Sequence, residues 1–227
     1  AIAAVHAGDL FTLFVWWEAT AFLSVFLILA GNTYRSYRSA FRYILIQVTS
    51  GMFLLAGAII LLINNGNVLL LKFDVNSLYG QLIFIAFGIK AAFPLLNGWL
   101  QDSYPEASEI GTVALSNFTT KLGIFCFAKC FAGTELLVVI GAIMTFYPIF
   151  FAVIENDLRR VLTYSLNAQL GFMIVAIGIG TELAINGAVA HAFACILYKG
   201  LLFMGMGAVL YRVGTCKASE LGGLFKY

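Results

Sequence analysis

Lysines near the middle of long apolar runs place the narrowest constraint on this chain. Lys90, Lys121 and Lys199 each stand in a run long enough to cross a bilayer, and Glu18 stands in another. A hydrocarbon core about 30 Å thick needs roughly 20 predominantly apolar residues per helix. A charged side chain at its centre costs about 2.5–3.5 kcal/mol on insertion scales. Four such groups need partners, water or both, so the chain reads as a membrane protein that moves charge, protons first among the candidates, through its interior. Of 227 residues, 62% are hydrophobic and 11% charged, against about 25% charged in a soluble domain. A water-soluble fold is excluded.

Apolar runs, Gly/Asn stops and charge clusters predict seven helices, near residues 9–31, 40–63, 81–101, 109–131, 135–154, 158–180 and 184–212. The fold class is an all-α, polytopic membrane helix bundle with short linkers. Gly31-Asn32 and the turn at Asn64, Asn65 and Gly66 supply stops. Arg35, Arg38 and Arg42 fall between the first two predicted helices, Arg159 and Arg160 between the fifth and sixth, and Arg212, Lys217 and Lys226 after the seventh. With seven spans these eight basic residues share one side with Asp102, Glu106 and Glu109, leaving Lys72 and Lys129 opposite. The positive-inside rule then puts the N-terminal end outside and the C-terminal end in the cytoplasm.

The first residue is not Met, and the chain reads as a piece of a longer protein. Cys126, Cys130, Cys195 and Cys216 form no CxxC or zinc-spaced set, so buried apolar roles are expected for them. No metal site, cofactor fingerprint or phosphate-binding glycine loop is expected, and the basic loops are too sparse for nucleic acid.

The third predicted helix carries the most chemistry. Lys90 is followed by Pro94 and then by Asn97-Gly98. Proline has no N–H for the carbonyl four residues back, which here belongs to Lys90, so a break is predicted between Lys90 and Gly98. Broken backbone at membrane depth is tolerated where it lines a polar cavity. Asn117 and Lys121 lie one turn apart on the fourth helix. His191, Cys195 and Lys199 recur every fourth residue on the seventh and form an inward polar stripe. Glu18, following Trp16 and Trp17, is expected to partner a buried lysine. Glu18, Lys90, Lys121, His191 and Lys199 are thus the candidate proton relay, and Pro94, Asn97 and Gly98 the helix break.

These residues resemble the antiporter-like subunits shared by respiratory NADH:quinone oxidoreductase and Mrp-type Na⁺/H⁺ antiporters, the likeness being greatest to the D-type member of the Mrp set. Phe14-Val-Trp-Trp-Glu18 is similar to the segment ending in that family's channel glutamate. Lys90 with Trp99, Leu100 and Asp102 looks like its broken-helix lysine motif, and Lys121 falls at the interval of its next-helix lysine. Glu155-Asn-Asp-Leu-Arg-Arg160, Tyr164-Ser165 and Gly171 resemble an Asp-x-Lys-Arg…Tyr-Ser…Gly segment. His191, Lys199 and Gly200-Leu-Leu-Phe-Met204 resemble the second-half helix, with Leu221-Gly-Gly-Leu224 matching the loop after it. Three departures stand out: Pro94 comes one residue early, Asn97 replaces a common His or Gln, and Cys195 stands where many relatives carry a second histidine.

The resemblance implies a half-channel over residues 1–132 and the truncated start of an inverted second repeat over 133–227. It implies proton translocation in a multi-subunit Na⁺/H⁺ antiporter of a bacterial plasma membrane, with other membrane subunits, the lipid bilayer, protons and Na⁺ as partners. The alternatives are a proton-pumping subunit of a respiratory or hydrogenase-type complex, a non-conducting structural subunit, and, more weakly, an uncoupled small-solute transporter.

Overall fold

The computed structural model describes residues 1–223; Leu224 and Lys226 of the sequence landmarks lie outside the described residues. Its helices are α1 (Ile2–Val5), α2 (Leu10–Leu29), α3 (Tyr34–Asn65), α4 (Leu78–Lys90), α5 (Gly98–Ser103), α6 (Glu109–Cys130), α7 (Glu135–Ile154), α8 (Leu158–Ile179) and α9 (Glu182–Val213), followed by a 3₁₀ turn at Ala218–Glu220. Six of them, α2, α3 and α6–α9, are long and apolar enough to cross a membrane. The shorter apolar α4 is followed, after a break, by the six-residue α5. This is the predicted all-α polytopic bundle.

Short polar side chains set where the helices begin, because the first turn of a helix has free N–H groups that a side-chain oxygen can satisfy. Asp9 accepts from the Thr12 N–H, Ser77 from Gly80, Ser108 from Gly111, Asp157 from Arg159 and Arg160, and Thr181 from Ala184. Thr33 and Ser36 cap each other reciprocally at the start of α3. That capping box corrects the sequence reading, which began this helix at residue 40. Arg35, Arg38 and Arg42 ride on its first turns rather than in a loop. At 32 residues, α3 runs to about 48 Å, so its arginine turns project beyond a 30 Å core. The short α1 also lies ahead of the predicted first helix.

Contacts between the loops define two ends of the bundle. At one end Arg42 pairs with Asp102 at 2.9 Å and Arg160 with Glu106 at 3.9 Å, while the Leu158 N–H donates to the Cys216 carbonyl. At the other, Lys129 reaches the Ala7 carbonyl, the Phe73 N–H donates to Cys130, and Gly133 donates to Ile177. The basic clusters therefore do gather at one end. Arg159, however, does not face the surface there. It is 6% exposed, and its guanidinium donates to the Ala107 carbonyl at 2.8 Å and to the Thr112 hydroxyl, stapling the α5–α6 turn to α8.

Small residues bring α7 and α8 together. Gly141 lies against the Val175 backbone, Gly171 against Thr145 and Gly178 against Val138, so close that a Cβ at any of the three would collide with backbone. Close helix approach of this kind replaces the hydrophobic driving force that lipid cannot supply. The outer faces stay apolar and exposed, as at Phe146, Phe150 and Ile154 of α7.

Candidate functional site

Lys90 is the last residue of α4, and backbone geometry rather than proline alone ends the helix there. The Ala92 N–H donates to Ile89 and the Phe93 N–H to Gly88, a Schellman closure with Ala92 in the left-handed region at φ 60°. Gly88 leaves the space that the Phe93 ring fills. Leu95 is also left-handed, at φ 69°. Each non-glycine residue held so costs about 1–3 kcal/mol. Pro94, the expected breaker, thus follows the stop and withholds a donor in the gap. The chain resumes helically at Gly98, after Asn97. Trp99 closes the gap from the far side, its indole N–H donating to the Ile89 carbonyl at 3.0 Å.

The Lys90 side chain is fully buried. Its Nζ lies 3.4 Å from both the Trp17 carbonyl and the Thr20 hydroxyl, and 4.7 Å from the centre of the Trp17 ring. Trp17 is itself held: its indole N–H donates to Ser50, whose hydroxyl donates to the Ala86 carbonyl of α4. Three helices thereby position one ammonium among neutral oxygens and an aromatic face.

Glu18 does not meet Lys90 in an ion pair, and among the described residues no salt bridge joins them. Helix geometry keeps the two out of ion-pair contact. Trp17 and Thr20, three apart, share the face toward Lys90, whereas Glu18 leaves α2 about 100° round from Trp17. Its carboxylate instead lies against Gly51 of α3, where a Cβ would overlap it. Its Oε1 is buried and makes no hydrogen bond within the protein.

Lys121 and Lys199 belong to a second cluster. The Lys121 ammonium donates to the Ser116 carbonyl at 2.8 Å and faces Cys195 and Lys199 across the α6–α9 contact. Lys199, 2% exposed, donates to the Ser165 hydroxyl at 2.6 Å. His191 Nε2 lies 2.8 Å from Gln169 Oε1, and Cys195, fully buried and unoxidised, lies between His191 and Lys199 on α9. Ser165 and Gln169, four apart on α8, therefore match Lys199 and His191, eight apart on α9. The structure brings Lys121 to the α9 stripe and leaves Lys90 and Glu18 with α2–α4.

Neutral polar residues are also buried in the bundle, and Tyr43, Gln47 and Gln101 among them escaped the sequence reading. Gln47, Gln101 and Asn167 are buried, and both polar atoms of each amide lack a protein hydrogen-bond partner; so do the Tyr43 and Thr120 hydroxyls. An unsatisfied buried polar group costs about 1–3 kcal/mol, and internal water is the usual remedy. Tyr43, Gln47 and Gly51 recur every fourth residue on α3, from the arginine-bearing end toward the Glu18 carboxylate. That spacing was available in the sequence. Without charge on its residues, the stripe gave no signal.

Comparison with known proteins places these features. The family model for the transmembrane region of NADH:quinone oxidoreductase/Mrp antiporter subunits matches residues 7–227. The chain belongs to that family. The D-type subunit of the Na⁺/H⁺ antiporter of Alkalihalophilus pseudofirmus is 26% identical over 96% of this chain and 48% of its own length. Hydrogenase-4 component B of Escherichia coli is 26% identical over 99% of this chain and 38% of its own. A chain of the Mrp complex from Dietzia sp. DQ12-45-1b superposes with a TM-score of 0.91 at 24% identity, covering 99% of this chain and 46% of that one. The chain spans about half the length of the relatives it matches.

Gly51 offers a selective test within this member of the NADH:quinone oxidoreductase/Mrp family. A methyl group there would meet only the end of a flexible carboxylate side chain, so Gly51→Ala is expected to leave assembly intact and turn Glu18 away. Under the proton-translocating role proposed below, flux through the assembled full-length protein is expected to fall about tenfold, less than the roughly 10²–10⁴-fold that loss of a positioned proton-transfer group costs, because the carboxylate is displaced and not removed. Unchanged flux would mean that the position of Glu18 does not matter.

Proposed function

We propose that this chain is the central part of a proton-translocating subunit of a multi-subunit Na⁺/H⁺ antiporter. One observation carries the reading. Lys90, Lys121 and Lys199 are each held by neutral oxygens, those of Trp17 and Thr20, Ser116 and Ser165, and no salt bridge among the described residues reaches them. Such a lysine can hold a proton or lose one without breaking an ion pair, which is what a relay requires. A structural charge would instead be locked to a carboxylate.

Residues 1–132 supply a first half-channel, with Glu18 and Lys90 in series. The α3 stripe and Gln101 carry water toward Glu18 from the arginine-bearing end. Residues 133–227 begin the second repeat, which contributes Lys199 and His191, and Lys121 of the first half-channel hands over to them. Pro94, Asn97 and Gly98 keep the Lys90 site open at membrane depth. The partners are further membrane subunits, protons and Na⁺. The respiratory or hydrogenase-type alternative keeps its support from the likeness to hydrogenase-4 component B. Reconstituting the intact complex in liposomes and measuring Na⁺-dependent proton flux separates the two; flux that ignores Na⁺ would favour the redox complex, and none at all a structural subunit.

We place the arginine-bearing end in the cytoplasm of a bacterial cell, with the N-terminal end outside. Cysteines introduced at the exposed Tyr37 and Ser219 into a cysteine-free protein are expected to resist a membrane-impermeant thiol reagent added to whole cells, and to react once the cells are opened. Ready labelling from outside would invert the topology.

A further inference from the structure

Beside the helix break runs an apolar groove that the proton relay does not use. Its volume is about 650 Å³, and it lies between α3, from Arg42 through Leu45 and Thr49 to Phe53, and the segment Ile89–Trp99. At its edge Leu95 is 97% exposed while held in the left-handed region. An apolar side chain presented outward at a conformational cost points to an occupant. At the end of the groove, Arg42 and Asp102 also line a second cavity of about 300 Å³, which adds Arg35, Arg38, Arg160 and Glu106. Four guanidinium groups there face two carboxylates. Asp102 is paired with Arg42 and Glu106 with Arg160, and among the described residues Arg35 and Arg38 take part in no salt bridge. Two positive charges are left unanswered.

We propose that these two adjoining cavities are a binding site for one anionic phospholipid, its phosphate held by Arg35 and Arg38 and its acyl chains laid along α3 against the helix break. The heights agree. The arginine turns of α3 project beyond the hydrocarbon core, at headgroup level, and the groove descends from Arg42 to Phe53, about 16 Å along the helix. Basic pockets between membrane helices on the cytoplasmic side suit anionic headgroups, and guanidinium is suited to phosphate. The lipid would then brace the segment that ends α4 at Lys90, making the relay sensitive to the composition of the membrane.

The test uses the full-length protein in its assembled complex, in nanodiscs of phosphatidylcholine carrying a trace of photoreactive lipid with a diazirine in the acyl chain. Photoreactive phosphatidylglycerol is expected to label peptides containing Leu45–Phe53 and Leu95–Leu96 roughly tenfold more than photoreactive phosphatidylcholine. In R35Q/R38Q that preference is expected to collapse roughly tenfold, with phosphatidylcholine labelling unchanged. Both arginines are exposed and outside any described salt bridge, so assembly should survive. T49W, which fills the groove from α3, is expected to suppress both lipids. Equal labelling of wild type by the two lipids would mean unspecific solvation and overturn the site. An unchanged preference in R35Q/R38Q would overturn the headgroup assignment. Absence of lipid labelling, with groove peptides cross-linking to another subunit, would make the occupant protein.

Discussion

Lys90→Arg is expected to abolish proton movement through the assembled protein while leaving it folded and assembled. The guanidinium keeps the positive charge and can still donate to the Trp17 carbonyl and the Thr20 hydroxyl that hold Lys90. It does not deprotonate at any physiological pH, so it can occupy the site but cannot pass a proton on. Loss of a positioned proton-transfer group removes about 10²–10⁴-fold of rate, and flux at least about a hundredfold below wild type is expected. Lys90→Ala should lose as much. Glu18→Gln should also lose transport, because it removes a titratable carboxylate that lies against Gly51, out of ion-pair contact with Lys90. Assembly of Glu18→Gln should therefore be normal, and the double variant with Lys90→Ala no worse than the worse single, as serial steps require. The measurement is acid-driven proton uptake into proteoliposomes, with assembly followed by size-exclusion chromatography. Wild-type flux in Lys90→Arg would remove deprotonation of this lysine from the mechanism. Failed assembly of Glu18→Gln would restore a structural role for the carboxylate.

Lys199→Ala is expected to remove nearly all transport, again by about a hundredfold, because Lys199 is where the Lys121 cluster meets α8. Ser165→Ala, which deletes the hydroxyl that Lys199 reaches at 2.6 Å, should cost less, since water can replace a neutral acceptor. Cys195→His is the informative companion. Cys195 is buried between His191 and Lys199, and its thiol is a weak donor and acceptor. An imidazole there would carry protons across the gap, so Cys195→His should preserve or raise flux if it can be accommodated. The same flux assay decides. Full activity in Lys199→Ala would reduce the α9 stripe to packing, and a steep loss in a well-assembled Cys195→His would mean that protons bypass this position.

How much of this was legible in the sequence depended on whether a property is local. The all-helical membrane class, the break after Lys90 and the gathering of arginines at one end all follow from runs of apolar residues, a proline and charge spacing, each read along the chain. The family was legible for the same reason, since its motifs are linear. The start of α3 was misplaced by six residues, because the Thr33–Ser36 capping box is a short polar pair inside a basic stretch.

What the residues face was a different matter. An apolar helix in lipid buries no single face by solvent exclusion, so periodicity does not say which side meets a neighbour. Glu18 and Lys90 looked like a pair because they were charges at similar depth. Helix rotation sends Glu18 to Gly51 and gives Lys90 to Trp17 and Thr20. Arg159 looked like a surface charge and became a staple under Ala107 and Thr112. That the chain is a bundle of apolar helices with lysines on three of them could be read from sequence alone, because apolar runs and the cost of charge in hydrocarbon act locally along the chain. That those lysines rest on neutral oxygens came from the packing of the helices. Hydrogen-bond partners lie on other helices, and the angle at which each helix turns toward its neighbours is set by packing.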